Sequence, residues 1–126
     1  MGAQGPRAVV VADDDAALTL LCRVNLELEG YRVVEAHSRA GVARCIERDD
    51  VGVVLLDINL GADNGIEIAR DIRARHPEIG LVFLTGSAPT LDAEHRRLVD
   101  AVLSKPFELA ALAQTVRRAY RSAAAA

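Results

Sequence analysis

Short runs of Val, Leu, Ile and Phe alternate with longer amphipathic stretches along most of the chain, and no repeat or low-complexity linker interrupts them before the alanines at 123–126. A strand covered on both faces reads as a continuous apolar run, whereas a surface helix shows apolar positions three and four apart. The runs predict strands over 8–12, 32–35, 51–56, 81–84 and 101–104, the first, third and fourth nearly unbroken. Ala17, Leu20, Leu21, Val24 and Leu28 predict the buried stripe of a first helix, and Leu109, Leu112, Ala113, Val116 and Tyr120 that of the last. Gly30 ends the first helix, and Asn64 with Glu67 three residues later resembles a capping box opening the third. A fourth helix, over about 91–99, carries the weakest stripe.

Five βα units in succession imply a parallel sheet with right-handed crossovers and helices on both faces. The expected fold is α/β, a flavodoxin-like (βα)5 doubly wound sandwich with strand order 2-1-3-4-5. A length of 126 residues fits one domain, expected over 8–121 between a flexible arm at 1–7 and an Ala-rich tail at 122–126. Hydrophobic residues make up 51% of the chain but aromatics only 3%, so the core is aliphatic and no platform for stacking bases or sugars is expected. Cys22 and Cys45 lie in apolar periodic stretches and read as small buried hydrophobes rather than a disulfide, which fits a reducing, cytoplasmic setting. The N-terminus lacks the apolar stretch of a signal peptide, and no run approaches the length of a membrane span. A net charge of −3, with the acids concentrated in the first half, argues against a nucleic-acid platform.

Ligand sites in such sheets lie beyond the carboxyl ends of the strands. The residues there are Asp13-Asp14-Asp15, Asp57, Thr85 and Lys105. The first and third strands are neighbours in the expected order, so several carboxylates converge. Left alone they would repel and raise one another's pKa, and a hard divalent cation such as Mg²⁺ bound by oxygen resolves this. Asp15 reads more simply as the cap of the first helix. Solvated turn acids are the ordinary alternative for Asp13 and Asp14, and a carboxylate binding loop amides is the alternative for Asp57.

Asp57 closes an apolar strand that delivers its carboxylate to the floor of the site, where it can act as a nucleophile towards phosphorus. Asn59 cannot supply the acid that a phosphatase with paired aspartates uses, but its carbonyl can complete a metal shell. That favours capture of a phosphoryl group over rapid turnover. The Thr85 hydroxyl can donate to a phosphoryl oxygen. Lys105 is the only lysine beside fourteen arginines, a choice that suits a compact ammonium, and Pro106 after it invites a cis peptide.

These residues resemble the receiver domain of two-component response regulators, in its single-domain, chemotaxis-regulator-like form. The likeness runs from about Ala8 to Tyr120 and rests on four motifs in order: the acidic run ending at Asp15, Leu-Leu-Asp57-Ile-Asn59-Leu, Phe-Leu-Thr85-Gly86-Ser87 and Ser-Lys105-Pro106-Phe107. The resemblance implies that Asp57 accepts a phosphoryl group from a phosphohistidine on a sensor histidine kinase or a histidine phosphotransfer protein. It implies Mg²⁺ held by Asp14, Asp57 and the Asn59 carbonyl, with Asp13 assisting through water. Thr85 and Lys105 would orient and neutralise the transferred group. Thr85 would also reorganise the face made by helix 4, strand 5 and helix 5, through which a downstream protein target is met without direct contact to nucleic acid or membrane. The domain would be a phosphoacceptor rather than an enzyme, assisting its own phosphorylation and dephosphorylation.

Three departures bear on output. Val102 stands where the family usually has an aromatic residue, the stretch from Thr85 to Lys105 is about two residues short, and Gly61 stands where a proline is common. With no further domain after the last helix, the sequence reads as a regulator acting by protein contact, or as a receiver cut from a larger protein. Asn59 and Ser87 flank the entry for water and are expected to tune phosphate lifetime. His37, His76 and His95 read as surface residues outside the strand-end set, and Arg96, Arg97, Arg117, Arg118 and Arg121 as basic patches able to dock an acidic partner. The rival readings are a phosphate-independent interaction module and an aspartyl-phosphate phosphatase.

Overall fold

The computed structural model describes residues 7–86 and 91–125, with side chains through Tyr120. In chain order the elements are β1 (Ala8–Ala12), α1 (Ala16–Leu28), β2 (Val33–Ala36), α2 (Arg39–Arg48), β3 (Val51–Asp57), β4 (Asn59–Leu60), β5 (Asp63–Asn64), α3 (Gly65–Arg75), β6 (Gly80–Thr85), α4 (Ala93–Arg96), β7 (Ala101–Ser104) and α5 (Leu109–Ala125). The main sheet is parallel throughout, in the order β2-β1-β3-β6-β7. Apart from the small antiparallel pair β4–β5, this is the expected order 2-1-3-4-5. The expected arm falls on residues outside those described, except Arg7, whose guanidinium bonds Asp50 and the Val51 carbonyl.

The central strands β1, β3 and β6 are buried along their whole length, and their alternating side chains feed two separate cores. Val10, Val54, Leu56 and Phe83 pack with Val42 of α2 and Ile68 of α3. Val9, Val11, Leu55 and Leu84 pack with Leu26 of α1 and Leu112 and Val116 of α5. Both cysteines are buried free thiols, and burial pushes the Cys22 thiol up to about 11.

The first helix corrects the stripe read from the sequence. Leu20, Leu21, Val24 and Leu28 are exposed, Leu28 by 80%, while Thr19, Cys22 and Leu26 face the sheet. Apolar residues occupy most of the circumference of α1, so periodicity admits two phases. The deciding feature is polar: Thr19 is accepted in the interior because its one hydroxyl proton has two acceptors within reach, Glu35 Oε1 at 2.7 Å and the Ala16 carbonyl at 3.0 Å. On α5 the expected stripe is buried at Leu112 and Val116, and Leu109 is 39% exposed.

The fourth helix is also shorter than expected. Beyond Arg96 the chain turns through bonds spanning three residues, from the Leu98 and Val99 amides to the His95 and Arg96 carbonyls. Arg73 of α3 holds this turn, donating to the carbonyls of Leu98, Pro77 and Ile79 and to Asp100 Oδ2. Other boundaries shift by a residue: β2 begins at Val33, β3 takes in Asp57, and β6 runs from Gly80 to Thr85.

Candidate functional site

The strands of a parallel sheet end on the same edge, and here each of four ends delivers one polar group. Asp13 follows β1, Asp57 ends β3, Thr85 ends β6 and Lys105 follows β7. Asp13 is fully buried, and Asp57 and Thr85 are 7% and 3% exposed. Lys105 Nζ spans the two acids, donating to Asp13 Oδ2 at 2.7 Å and Asp57 Oδ2 at 3.1 Å. The Lys105–Pro106 peptide is cis, as its sequence invites. The Thr85 carbonyl accepts from the Lys105 amide at 2.9 Å, tying the ends of β6 and β7 together.

The acidic turn is organised by its own amides. Asp13 Oδ1 accepts from the Asp15 amide, and Asp15 caps α1 by accepting from the amides of Ala17 and Leu18, the role its sequence position suggests. Asp14 is left exposed at the mouth. Carboxylate oxygens of Asp13, Asp14 and Asp57 lie within 4.8 Å of one another. An all-oxygen set of partly buried carboxylates is the donor chemistry that a hard cation such as Mg²⁺ takes, so these residues fit it.

Burial raises the Asp57 carboxyl above its ordinary value, against the Asn59 amide and the Lys105 ammonium, which both lower it; the Asp13 charge raises it further. Burial alone would lower the Lys105 ammonium. Its hydrogen bonds and charge pairing with Asp13 and Asp57 outweigh this and leave it raised. The site therefore holds a desolvated carboxylate beside a cation that stays protonated at neutral pH.

The loop beyond Asp57 departs from a plain turn. Asn59 donates its amide to Asp57 Oδ1 at 3.0 Å, and Asn59–Leu60 pairs with Asp63–Asn64 around Gly61 at φ +59°. Proline is fixed near φ −65° and cannot take that conformation, which accounts for glycine where the family often has proline. Asn64 caps α3 through the Ile66 and Glu67 amides, as the motif predicts.

Two contributors escape the sequence reading. Gly65, the first residue of α3, lies against the Asp57–Ile58 peptide so closely that an added Cβ would sit 2.7 Å from Ile58 Cα. A glycine inside a helix start, where it is a poor helix former, is the signal that could have marked this approach. His37 is the second: its Nδ1 lies 2.8 Å from the Asp13 carbonyl oxygen, so it adjoins the acidic turn instead of lying apart from it. Ser87 falls outside the described residues.

A buried aspartate at a strand end, bridged by lysine to a second acid and backed by a strand-end threonine, defines a phosphoacceptor type of pocket on a doubly wound sheet. Residues 9–117 match the model of the response regulator receiver domain, and the chain belongs to that family. Among curated relatives it is similar to the transcriptional regulatory protein GlrR of Escherichia coli strain K12, with 32% identity over 96% of this chain and 28% of the relative. The aerobic respiration control protein ArcA of the same strain is 34% identical over 82% of this chain and 44% of its own length. The chain thus spans less than half of either relative. Among solved structures, a CheY-like receiver domain protein from Methanospirillum hungatei JF-1 superposes with a TM-score of 0.84 at 22% identity, covering 96% of this chain and 98% of that one. The receiver domain of NtrX from Brucella abortus gives 0.82 at 24%, covering 90% and 98%. The chain is a two-component response regulator receiver domain with the fold expected from its sequence. No described helix is long and apolar enough to cross a membrane.

Proposed function

We propose that Asp57 takes the phosphoryl group, from a phosphohistidine on a sensor histidine kinase or a histidine phosphotransfer protein. The observation that carries this is the Lys105 ammonium bridging Asp13 and Asp57 across the pocket floor. In the step, an Asp57 carboxylate oxygen forms a bond to phosphorus as the bond from phosphorus to the donor nitrogen breaks, its electron pair returning to the imidazole. Phosphoryl transfer needs mainly positioning and charge stabilisation. Lys105 neutralises charge on the transferred group, the Thr85 hydroxyl donates to it, and the Asn59 amide fixes the orientation of Asp57. Mg²⁺, when held by Asp13, Asp14, Asp57 and the Asn59 carbonyl, supplies further neutralisation of the phosphoryl oxygens.

A protein donor suits the surroundings. The exposed apolar side chains Leu20, Leu21, Val24 and Leu28 begin one turn beyond the acidic loop, so a donor reaching Asp57 rests on α1 and covers them. Asn59 offers no acid for rapid hydrolysis, so the domain captures a phosphoryl group and assists its own phosphorylation and dephosphorylation rather than turning over a substrate pool. The downstream target is a protein met through α4, β7 and α5, in the cytoplasm, with no direct contact to nucleic acid or membrane.

A labelled phosphohistidine domain mixed with the chain tests this reading. The label is expected to move to the parent and not to Asp57→Asn. Steady release of phosphate from a simple monoester would instead support a phosphatase. Val102 favours one second reading, a module that signals without phosphate, because the aromatic side chain expected at that place is missing; failure of the folded chain to accept label would support it.

A further inference from the structure

The strand β2 forms one edge of the sheet, pairing only with β1. The bonds from the Val9 and Asp13 amides reach the Arg32 and Ala36 carbonyls, so those residues turn their main-chain groups towards β1. Groups alternate along a strand, which leaves those of Val33 and Glu35 pointing outward from the sheet. An open edge of this kind is a template for a further strand.

Beside that edge, between β2 and α2, lies a cavity of about 310 Å³ lined by Val34, Ala36, Gly41 and Cys45 and flanked by Arg44 and Arg48. The volume is at the lower end of the range for ligand sites. The charges around it do not balance. Its two acids, Glu35 and Asp49, are taken by arginines outside the lining, Arg23 at 2.7 Å and Arg32 at 3.0 Å. Arg44 and Arg48 are exposed, stand four apart on one helix face, and make no ion pair among the described residues.

We propose that the groove between β2 and α2 is a docking site for an extended acidic peptide segment of a partner protein, which adds a strand at β2 and sets its carboxylates against Arg44 and Arg48. A strand supplies donors and acceptors at the spacing of the outward groups of Val33 and Glu35, and alternate side chains fill the apolar floor. A small anion meets the arginines but leaves the main-chain edge unpaired. The groove holds none of Asp13, Asp57, Thr85 and Lys105, although His37 at its end reaches the Asp13 carbonyl, and peptide binding and phosphoryl uptake are read by different measurements, so either assignment can fail without the other.

The test is titration of the ¹⁵N-labelled chain with a blocked heptapeptide of alternating Glu and Val, and with its Lys–Val counterpart. The acidic peptide is expected to shift the amides of Val33, Glu35, Gly41, Arg44 and Arg48, and the lysine peptide to leave them in place. Reversing both charges, Arg44→Glu with Arg48→Glu, is expected to weaken the acidic peptide about tenfold, from the loss of two exposed pairs and the repulsion gained. Gly41→Leu is an independent probe. A Cβ there meets Ser38 Oγ at 3.4 Å, Ala36 Cβ at 3.5 Å and Ala36 Cα at 3.8 Å, none of them a clash, so a leucine is expected to occupy the groove, and binding to be lost while the remaining amides stay dispersed. No shifts at β2, equal binding of the lysine peptide, or unchanged affinity in both variants overturns the proposal. Inorganic phosphate moving these amides where the acidic peptide does not would assign the groove to a small anion and overturn it as well.

Discussion

Gly65→Ala tests whether the close contact beneath Asp57 controls both the stability of the domain and its chemistry. A Cβ at this position would lie 2.7 Å from Ile58 Cα and 2.9 Å from the Ile58 oxygen, and it would also crowd the Asp57 carbonyl. All of these atoms are main chain, so no side chain can swing away; the Asp57–Ile58 peptide and the first turn of α3 must move apart. The hydrogen bond from the Gly65 amide to the Ile58 carbonyl, 2.7 Å long, stretches with them. Overpacking of this sort costs about 1–3 kcal/mol, against which alanine regains about 0.5–1 kcal/mol of helix preference, leaving a net loss of up to about 2.5 kcal/mol. The displaced peptide carries the nucleophile. A misplacement approaching an ångström costs up to about a hundredfold in rate, so uptake of phosphoryl from a small acyl phosphate is expected to slow at least tenfold. Urea unfolding and initial rates of uptake measure the two effects, with Gly41→Ala as control: its Cβ contacts are ordinary, and that variant is expected to be slightly stabilised. A Gly65→Ala domain as stable as the parent and taking up phosphoryl at the parent's rate would refute the reasoning.

The raised Asp57 carboxyl makes a prediction about pH. Its folded value lies above the ordinary 3.8, so the folded state binds the proton more tightly than the unfolded chain does. Stability at this residue is greatest below 3.8 and falls as pH rises through the elevated folded value, so Asp57→Asn is expected to remove that slope and to be the more stable protein at neutral pH without metal. Urea midpoints of the two proteins across the acid range check it, and parallel curves would contradict it. Arg73→Ala removes donors to four separate acceptors, two in the turn after α4 and two in the segment between α3 and β6, and is expected to cost about 2–3 kcal/mol, with faster hydrogen exchange at Leu98, Val99 and Asp100. Val102→Tyr, in a strand position that packs against the α2–α3 core, is expected to leave the rate of phosphoryl uptake near the parent's value.

The residues that carry this fold differ in how openly they show themselves in sequence. β1, β3 and β6 are apolar on both faces because helices cover both, and a run such as Val53-Val54-Leu55-Leu56 admits little else. The site was legible for a related reason: in a parallel sheet the polar residue that ends each apolar run lies on the functional edge, which puts Asp13, Asp57, Thr85 and Lys105 together. The helix α1 was not legible, since apolar residues surround most of it and the buried phase depends on Thr19 reaching Glu35, a partner sixteen residues away. The extent of α4 was hidden likewise, because Arg73 on another element holds the turn that follows it. Gly65 and His37 act through main-chain approaches, at the Asp57–Ile58 peptide and the Asp13 carbonyl, and these are set by tertiary placement rather than local pattern.

Intact mass after incubation with a small acyl phosphate, with and without Mg²⁺, tests the central claim most directly, on the parent and on Asp57→Asn. The account predicts a single phosphoryl adduct on the parent that is lost without Mg²⁺ and absent from the variant. A folded parent that gains no adduct under any condition, or a variant that gains one as readily as the parent, would contradict it.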